Sequence, residues 1–252
     1  MDERLARLDL PGRWADQPPE RFVGAALNAW LYGELARRWE ALAERLHGEP
    51  SVKPFALALL PDRLVVAGYG PLYRLVAALA ERPPERLLLD ARWWETTGTP
   101  TCYEATWGEL AAPLLTGRPA TVRLAFLSPT TFHTRGAYRP LPDPDPLFRG
   151  LLVRWQRFGA VDLGDGAAAA LGAIALRRYE ARSVAVQLAG LVPAFLGWAE
   201  FVARRPEPAY AGLAAALGGF APFAGVGHKV GMGLGCVAPP RRPARSTEEE
   251  ER

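Results

Sequence analysis

Prolines and glycines divide the first 107 residues into short apolar segments whose periodicity alternates between strand and helix. Pro61 and Asp62 join two of these segments as in a β-hairpin. The predicted segments, in chain order, are a strand at 3–10, a helix at 20–46 in two pieces (22–32 and 34–46), strands at 55–60 and 63–69, a helix at 72–81, and strands at 87–94 and 101–107. This order, β-α-β-β-α-β, predicts a ferredoxin-like unit.

The second half repeats that order in outline, after a proline- and glycine-punctuated boundary at 108–119. Its predicted segments are a strand at 120–127, a helix at 147–158, three apolar, arginine-dotted segments at 174–179, 184–189 and 194–202, a helix at 210–217 and a short strand around Cys236. We therefore predict an α+β fold of two tandem ferredoxin-like (RRM-like, βαββαβ) domains, at 1–116 and 117–238. Residues 239–252 have no core-forming pattern and are predicted to be a disordered tail.

Composition argues against several classes of protein. No apolar run approaches the ~20 residues of a membrane span, and the charged, proline-containing first 20 residues are unlike a secretory signal. Cys102 and Cys236 form no CxxC or zinc-spaced set, so we expect neither a disulfide scaffold nor a structural metal. These features favour a cytoplasmic protein without a cofactor. The formal charge of +3 is compatible with an anionic partner.

Lysine is rare in this chain and lies near histidine. Of 30 basic residues only Lys53 and Lys229 are lysines, and there are three histidines. Lys53 follows His47 by six residues, and Lys229 follows His228 directly. This pairing suits chemistry on a phosphodiester, because one group can move protons while the other neutralises a developing anion.

Tyr32, His47 and Lys53 are the first candidate site. Tyr32 falls near the end of the first helical piece, His47 ends the second, and Lys53 lies in the loop that follows. A helix C-terminus favours a protonated imidazole. Each residue also has a structural alternative: an interface aromatic, a helix C-cap and a solvated loop charge.

The second candidate is a glycine-rich segment at 225–235 that also holds His228 and Lys229. Glycines let backbone N–H groups approach a phosphate closely, because no side chain intervenes. The glycines of this segment are Gly225, Gly227, Gly231, Gly233 and Gly235. It lacks the GxxxxGK[ST] order and the βαβ context of nucleotide-binding loops. A flexible loop before a terminal strand is the alternative. His133, in SPTTFHTRG, is a further candidate ligand contact, although a loop histidine is more often one that only hydrogen-bonds to backbone.

Three segments resemble the CRISPR-associated repeat-RNA endoribonucleases of the RAMP superfamily. GVGHKVGMGLGCV is similar to that superfamily's glycine-rich loop, and SPTTFHTRG with PLPDPDPLFRGLLVRWQRF resembles the opening of the family's second domain. LAERLHGEPSVKPFALALL resembles its "LH" helix end leading into a strand. The resemblance spans residues 1–238.

The resemblance implies metal-independent cleavage of CRISPR repeat RNA. The ribose 2′-hydroxyl would attack the adjacent phosphate and leave a 2′,3′-cyclic phosphate and a 5′-hydroxyl. It assigns His47 as general base or acid, Tyr32 as its partner and Lys53 as the group that stabilises the phosphorane. Many members carry a histidine inside the first helix, where GAALNAW has Asn28.

The same resemblance implies RNA as the partner, bound in the cleft between the domains. Arg149, Arg154 and Arg157 are candidates for gripping its backbone, with a solvated face as the alternative, and effector-complex subunits or a second copy are further possible partners. A non-catalytic subunit of the superfamily that holds guide RNA is the alternative function. A nucleotide-binding enzyme that uses the glycine-rich segment is a third.

Overall fold

The computed structural model of the chain describes residues 3–48, 52–117, 121–204 and 206–239. Its strands and longer helices, in chain order, are β1 (Arg4–Trp14), α1 (Gly24–Gly48), β2 (Phe55–Leu60), β3 (Arg63–Tyr69), α2 (Tyr73–Glu81), β4 (Arg86–Leu89), β5 (Arg92–Thr96), β6 (Thr101–Thr106), α3 (Trp107–Leu115), β7 (Thr121–Thr130), β8 (Phe132–Thr134), β9 (Ala137–Arg139), α4 (Pro144–Phe158), α5 (Ala167–Ala170), β10 (Ile174–Gln187), β11 (Leu191–Ala203) and α6 (Leu213–Ala224). Within the described ranges, no helix combines the length and apolarity needed to cross a bilayer.

The first sheet has the strand arrangement of a ferredoxin-like unit. β1 lies between β3 and β6, β2 pairs with the outer edge of β3, and every pair is antiparallel. The hairpin β4–β5 is added where β5 pairs with the last residues of β1. One face of the sheet packs against α1 and α2 through a core that includes Leu8, Leu27 and Leu75.

The second sheet follows the same plan with one strand reduced. β11 lies between β10 and β7. The strand predicted around Cys236 is a single bridge from Val237 to Phe126, extended by hydrogen bonds of 2.8 Å from Leu127 N to the Cys236 carbonyl and from Ala238 N to the Ala125 carbonyl. The fold is therefore α+β with two ferredoxin-like units, as the sequence predicts.

The two halves share one aromatic core. The ring of Trp107 lies 4.9 Å from that of Trp155 and 5.0 Å from that of Phe220, and the ring of Tyr69 lies 5.0 Å from Phe220. All four side chains are buried, and burial of each contributes on the order of 2 kcal/mol. The division into domains at 116/117 stays a prediction, and of the predicted tail at 239–252 only Pro239 lies within the described residues.

The single strand predicted at 87–94 is wrong, because this stretch forms the hairpin β4–β5. Its turn residues Asp90 and Ala91 have φ values of 53° and 62°, a conformation that usually selects glycine or asparagine. Arg21 holds the Asp90 carboxylate by hydrogen bonds of 2.6 and 2.5 Å. Such a long-range contact leaves no local trace in the sequence.

The predicted interruption of α1 near Gly33 is also wrong. Leu27, Leu31 and Leu35 all pack into the core, and this continuous apolar face outweighs the ~1 kcal/mol cost of a helical glycine. The break lies instead at Trp39, with φ −149° and ψ 74°.

Three further boundaries differ from the prediction. The stretch at 108–119 contains α3, which begins with a capping box between Thr106 and Glu109. The segments at 174–179 and 184–189 are one strand, β10, whose intervening charged residues are exposed. The helix predicted at 210–217 starts at Leu213 and continues to Ala224, because its apolar residues remain buried beyond Leu217.

Candidate functional site

The three side chains predicted to be catalytic lie together at the C-terminal end of α1. The rings of Tyr32 and His47 meet edge to face, with centroids 5.3 Å apart. The Tyr32 hydroxyl donates a hydrogen bond of 3.3 Å to the Leu46 carbonyl, and the Lys53 ammonium donates to the same carbonyl. Tyr32 and Lys53 thus share one backbone acceptor, and the ring of His47 lies against that of Tyr32.

Lys53 is fixed through its backbone as well as its side chain. The carbonyls of a last helical turn lack intrahelical donors, so the Leu46 carbonyl is a natural acceptor for the ammonium. The hydroxyl of Tyr69 donates to the Lys53 carbonyl at 3.1 Å, and the Tyr69 N–H donates to the Pro54 carbonyl at 3.1 Å. Strand β3 therefore sets the position of Lys53.

Burial separates the chemical roles that Tyr32 and His47 can take. Tyr32 is half-buried, and desolvation raises the pKa of its hydroxyl, so the phenol stays protonated near neutral pH. Such a group donates a hydrogen bond but does not act as a base. His47 is exposed, and its imidazole is open to a ligand at the surface.

A large groove runs beside this cluster between the two halves. Its cavity volume is about 1100 Å³, and its walls include Leu46 from α1 and Phe158 from α4. Of the lining residues that the structure describes, three are arginines, namely Arg45, Arg74 and Arg157, and one is acidic, Glu3. This groove has the volume and the positively charged lining to hold a polyanion.

A smaller cavity of about 280 Å³ has Val52, which precedes β2, in its wall. His133 of β8 and His228 of the glycine-rich segment line it, with ring centroids 5.3 Å apart. The ring of Tyr138 completes a three-ring cluster, 4.8 Å from His133. Burial lowers the pKa of His228, and the neighbouring Lys229 and His133 lower it further.

Comparison with known proteins assigns the family. The model for CRISPR-associated endoribonuclease Cas6 matches residues 124–237. CRISPR-associated endoribonuclease Cas6 of Mycobacterium tuberculosis, in strains CDC 1551 / Oshkosh and ATCC 25618 / H37Rv, is 30% identical over 253 residues, which cover 94% of this chain and 79% of the relative. This chain belongs to the Cas6 family of CRISPR-associated endoribonucleases.

Solved structures agree with this assignment. A structure described as a Cas6 product complex is 25% identical, with a TM-score of 0.74, and the match covers 96% of this chain and 100% of that one. An RAMP protein described as binding different RNA substrates shares the fold, at 14% identity and a TM-score of 0.54, over 96% of this chain and 99% of its own. The predicted membership of the CRISPR-processing family, with a RAMP-type fold, is confirmed.

In this Cas6-family chain the glycine-rich segment packs closely against its own protein. A Cβ at Gly235 would lie 1.8 Å from the Val226 carbonyl oxygen, and one at Gly227 would lie 2.4 Å from the Thr131 carbonyl oxygen. A Cβ at Gly231 would lie 2.8 Å from the Phe55 ring. Close approach therefore explains three of the five glycines without a ligand.

Several amides of the segment already have acceptors inside the protein. The backbone N–H groups that donate to protein carbonyls are those of Gly225, Val226, His228, Met232 and Gly235. A phosphate could bind only amides outside this set. Contact of the five glycines with RNA stays a prediction. Of their backbone amides, those of Gly227, Gly231 and Gly233 lie outside this set and are the candidates to donate to a phosphate.

The glycine-rich segment reaches the catalytic cluster through Asn28. The Asn28 side-chain amide donates to the Gly231 carbonyl at 2.8 Å, and Tyr32 lies one helical turn further along the same face of α1. The ring of Phe55 contacts Tyr32, with centroids 5.9 Å apart. Asn28 thus joins the segment to the site from the position where the resemblance expects a histidine.

The three arginines predicted to bind RNA lie in different settings. Arg157 is exposed on the large groove, whereas Arg149 is exposed but paired with Asp145 at 2.6 Å. Arg154 is 7% exposed and lines the smaller cavity. Lys229 is exposed, with its ammonium 3.7 Å from the Met232 sulfur. Arg149 also lines the smaller cavity, so two of the three arginines share that cavity and Arg157 lies on the large groove.

Two residues near the site are absent from the sequence-based prediction. Tyr69 ends a strand and contacts Lys53 only through the tertiary fold, so no local signal marks it. Thr134 lines the smaller cavity and lies one residue after His133. Its position next to a candidate histidine is the one sequence feature that could have pointed to Thr134.

Proposed function

We propose that this protein matures CRISPR RNA by metal-independent cleavage of repeat RNA. The 2′-hydroxyl oxygen attacks the adjacent phosphorus, the bond from phosphorus to the 5′-oxygen breaks, and the proton lost by the 2′-hydroxyl is balanced by one gained at the 5′-oxygen. The products are a 2′,3′-cyclic phosphate and a 5′-hydroxyl. Because the nucleophile is tethered beside its target, positioning supplies much of the rate enhancement.

The proposal is supported by the shared bonds of Tyr32 and Lys53 to the Leu46 carbonyl and by the contact of the Tyr32 ring with that of His47. His47 moves the proton, Tyr32 orients the imidazole through the ring contact, and Lys53 stabilises the charge of the phosphorane. The neighbouring arginine-lined groove would hold the repeat RNA, the ligand class that the resemblance implies. Association with effector-complex subunits or with a second copy stays a prediction.

Cleavage assays with the cognate repeat test the proposal. Purified protein in EDTA should convert the repeat into a fragment with a cyclic phosphate end, and a repeat with a 2′-deoxyribose at the scissile position should stay intact, because the nucleophile is missing. His47→Ala protein should bind the normal repeat without cutting it. Cutting of the deoxy substrate at the normal rate would contradict 2′-hydroxyl attack, and loss of activity in EDTA would contradict metal independence.

One observation favours the alternative of a non-catalytic subunit that holds guide RNA. The bonds from Tyr32 and Lys53 to the Leu46 carbonyl cap a helix end and need no catalytic purpose. In that case the protein shifts the electrophoretic band of the repeat and never shortens it. The assay in EDTA with and without added Mg²⁺ separates this outcome from both modes of cleavage.

A further inference from the structure

The smaller cavity, at Val52, carries positive charge without a matching negative one. Its walls include Arg149, Arg154 and the two imidazoles of His133 and His228, and among the described residues that line it none is acidic. Arg149 has a partner, since Asp145 accepts from it at 2.6 Å. No acidic side chain among the described lining residues pairs with Arg154.

Arg154 is buried with part of its hydrogen-bonding capacity unused. Its Nη1 donates to the Gly150 carbonyl at 2.9 Å and its Nη2 to the Gly227 carbonyl at 3.4 Å. Its Nε is shielded from solvent and has no acceptor within the part of the chain that the structure describes. A guanidinium offers five N–H groups, and a buried cation whose hydrogen bonds go to neutral carbonyls is costly.

A second donor in the same cavity lacks an acceptor. The hydroxyl of Thr134 is shielded from solvent and unpartnered across the described residues, and Thr134 ends strand β8 of the short hairpin that forms one wall. Buried polar atoms without partners are rare in native proteins. Two of them on residues that line one cavity point to a ligand rich in acceptors.

We propose that this cavity binds one phosphate group of the RNA strand, other than the scissile one. The planar guanidinium of Arg154 and the hydroxyl of Thr134 donate to its oxygens, which only accept. The rings of His133, Tyr138 and His228 lie beside the neighbouring nucleoside, where a base stacks on aromatic side chains. Val52 lines the cavity next to Lys53, so the phosphate lies close to the catalytic cluster. The inference rests on the proposed function only in taking RNA as the ligand.

Methylphosphonate scanning tests this assignment. A repeat that carries 2′-deoxyribose at the scissile position is made with one neutral methylphosphonate at a time, and its dissociation constant is measured for the natural protein, Arg154→Met and Thr134→Val. One position should weaken binding to the natural protein roughly 10- to 100-fold and should cause no further loss in Arg154→Met. Thr134→Val, which keeps the side-chain shape, should show a smaller loss at that position alone.

Controls keep a folding defect apart from a loss of contact. Arg123→Met removes an exposed arginine that stacks on Trp198, at 4.1 Å, and should retain the full effect of the methylphosphonate. Thermal melting of each variant establishes that it is folded. If every methylphosphonate affects the natural protein and Arg154→Met alike, while Thr134→Val also behaves as the natural protein, the assignment is wrong.

Free phosphate is the other source of the same chemistry. Inorganic phosphate and a nucleoside monophosphate are added during melting of the natural protein and of Arg154→Met. Suppose that either ligand raises the melting temperature of the natural protein but not that of Arg154→Met, and that no single methylphosphonate weakens RNA binding. The cavity would then bind a free phosphate ligand, and the assignment to RNA would be wrong. Since binding is measured on uncleavable RNA, failure of the cleavage chemistry leaves this result intact, and the two proposals fail separately.

Discussion

The chain's two lysines lie in opposite settings, although each follows a histidine closely in sequence. Lys53 is half-buried, its ammonium bonds to the Leu46 carbonyl, and Tyr69 holds its backbone. Lys229 is exposed on the glycine-rich segment, in a left-handed conformation with φ 54°. The structure therefore holds Lys53 more firmly than Lys229. Proximity in sequence selected both, and tertiary contacts distinguish the catalytic candidate from the other.

The largest difference between the two pairs should come from their histidines. We expect His47→Ala to slow single-turnover cleavage by roughly 10²–10⁴-fold, the usual contribution of a positioned acid or base, while the dissociation constant for uncleavable repeat stays within a few-fold. His228→Ala should slow cleavage by less than about 10-fold. Equal losses in the two variants would mean that the end of α1 is not the catalytic cluster.

Of the two lysines, Lys53 should likewise contribute more to the cleavage rate than Lys229. Lys53→Ala should reduce the single-turnover rate by roughly 10²–10³-fold, as removal of one group that stabilises a transition-state charge does. Lys229→Ala should weaken RNA binding modestly and show itself as a smaller salt dependence of the dissociation constant. A variant lacking Lys53 that cuts at the normal rate would reduce this residue to a helix cap.

The glycine-rich segment should matter for folding more than for chemistry. Gly235→Ala combines φ 72° with a Cβ 1.8 Å from the Val226 carbonyl oxygen, and we expect it to lower the free energy of unfolding by about 3 kcal/mol or more. Gly136→Ala has φ 77° but meets nothing within 4 Å, so about 1 kcal/mol is expected. Both substitutions carry the cost of a positive φ, so the difference between their free energies of unfolding, measured in urea, is the contribution of close packing at Gly235. Equal free energies of unfolding would show that close packing contributes nothing there.

Sequence patterns predict local structure in this chain well where one face is apolar. The hairpin β2–β3 was predicted residue for residue, because Pro61 and Asp62 mark its turn and both strands are apolar. The turn at Asp90 and Ala91 was missed because its conformation depends on Arg21, 69 residues away. The candidate site shows the same limit: Tyr32, His47 and Lys53 were proposed from residue type, spacing and the family resemblance and stay a prediction, whereas Tyr69 contacts Lys53 only in the folded chain.

Tyr69 offers a finer test of how Lys53 is anchored. Tyr69→Phe removes the hydrogen bond to the Lys53 carbonyl and keeps the packed ring, so we expect a rate loss of about 3- to 10-fold, the worth of one hydrogen bond, with little change in RNA affinity. In a Lys53→Ala background the same change should have no further effect on rate. Tyr73→Phe, which removes a buried hydroxyl bonded to Glu104 at 2.7 Å, is the matched control. Equal loss in both backgrounds would make Tyr69 a structural residue only.

The smallest effect concerns protonation of the histidine on the glycine-rich segment. Burial, with Lys229 and His133 adding to it, lowers the pKa of His228 in the folded protein, below the value of about 6.5 for an unfolded chain. Between these two values the unfolded state binds more protons, so the free energy of unfolding should fall as the pH drops below about 6.5 through the folded pKa. Urea unfolding between pH 7.5 and pH 5 should show a shallower decline for His228→Gln than for the natural protein. A parallel decline in both would mean that the imidazole of His228 is not the group responsible, and an NMR titration of its ring resonances would then identify whether its pKa is lowered at all.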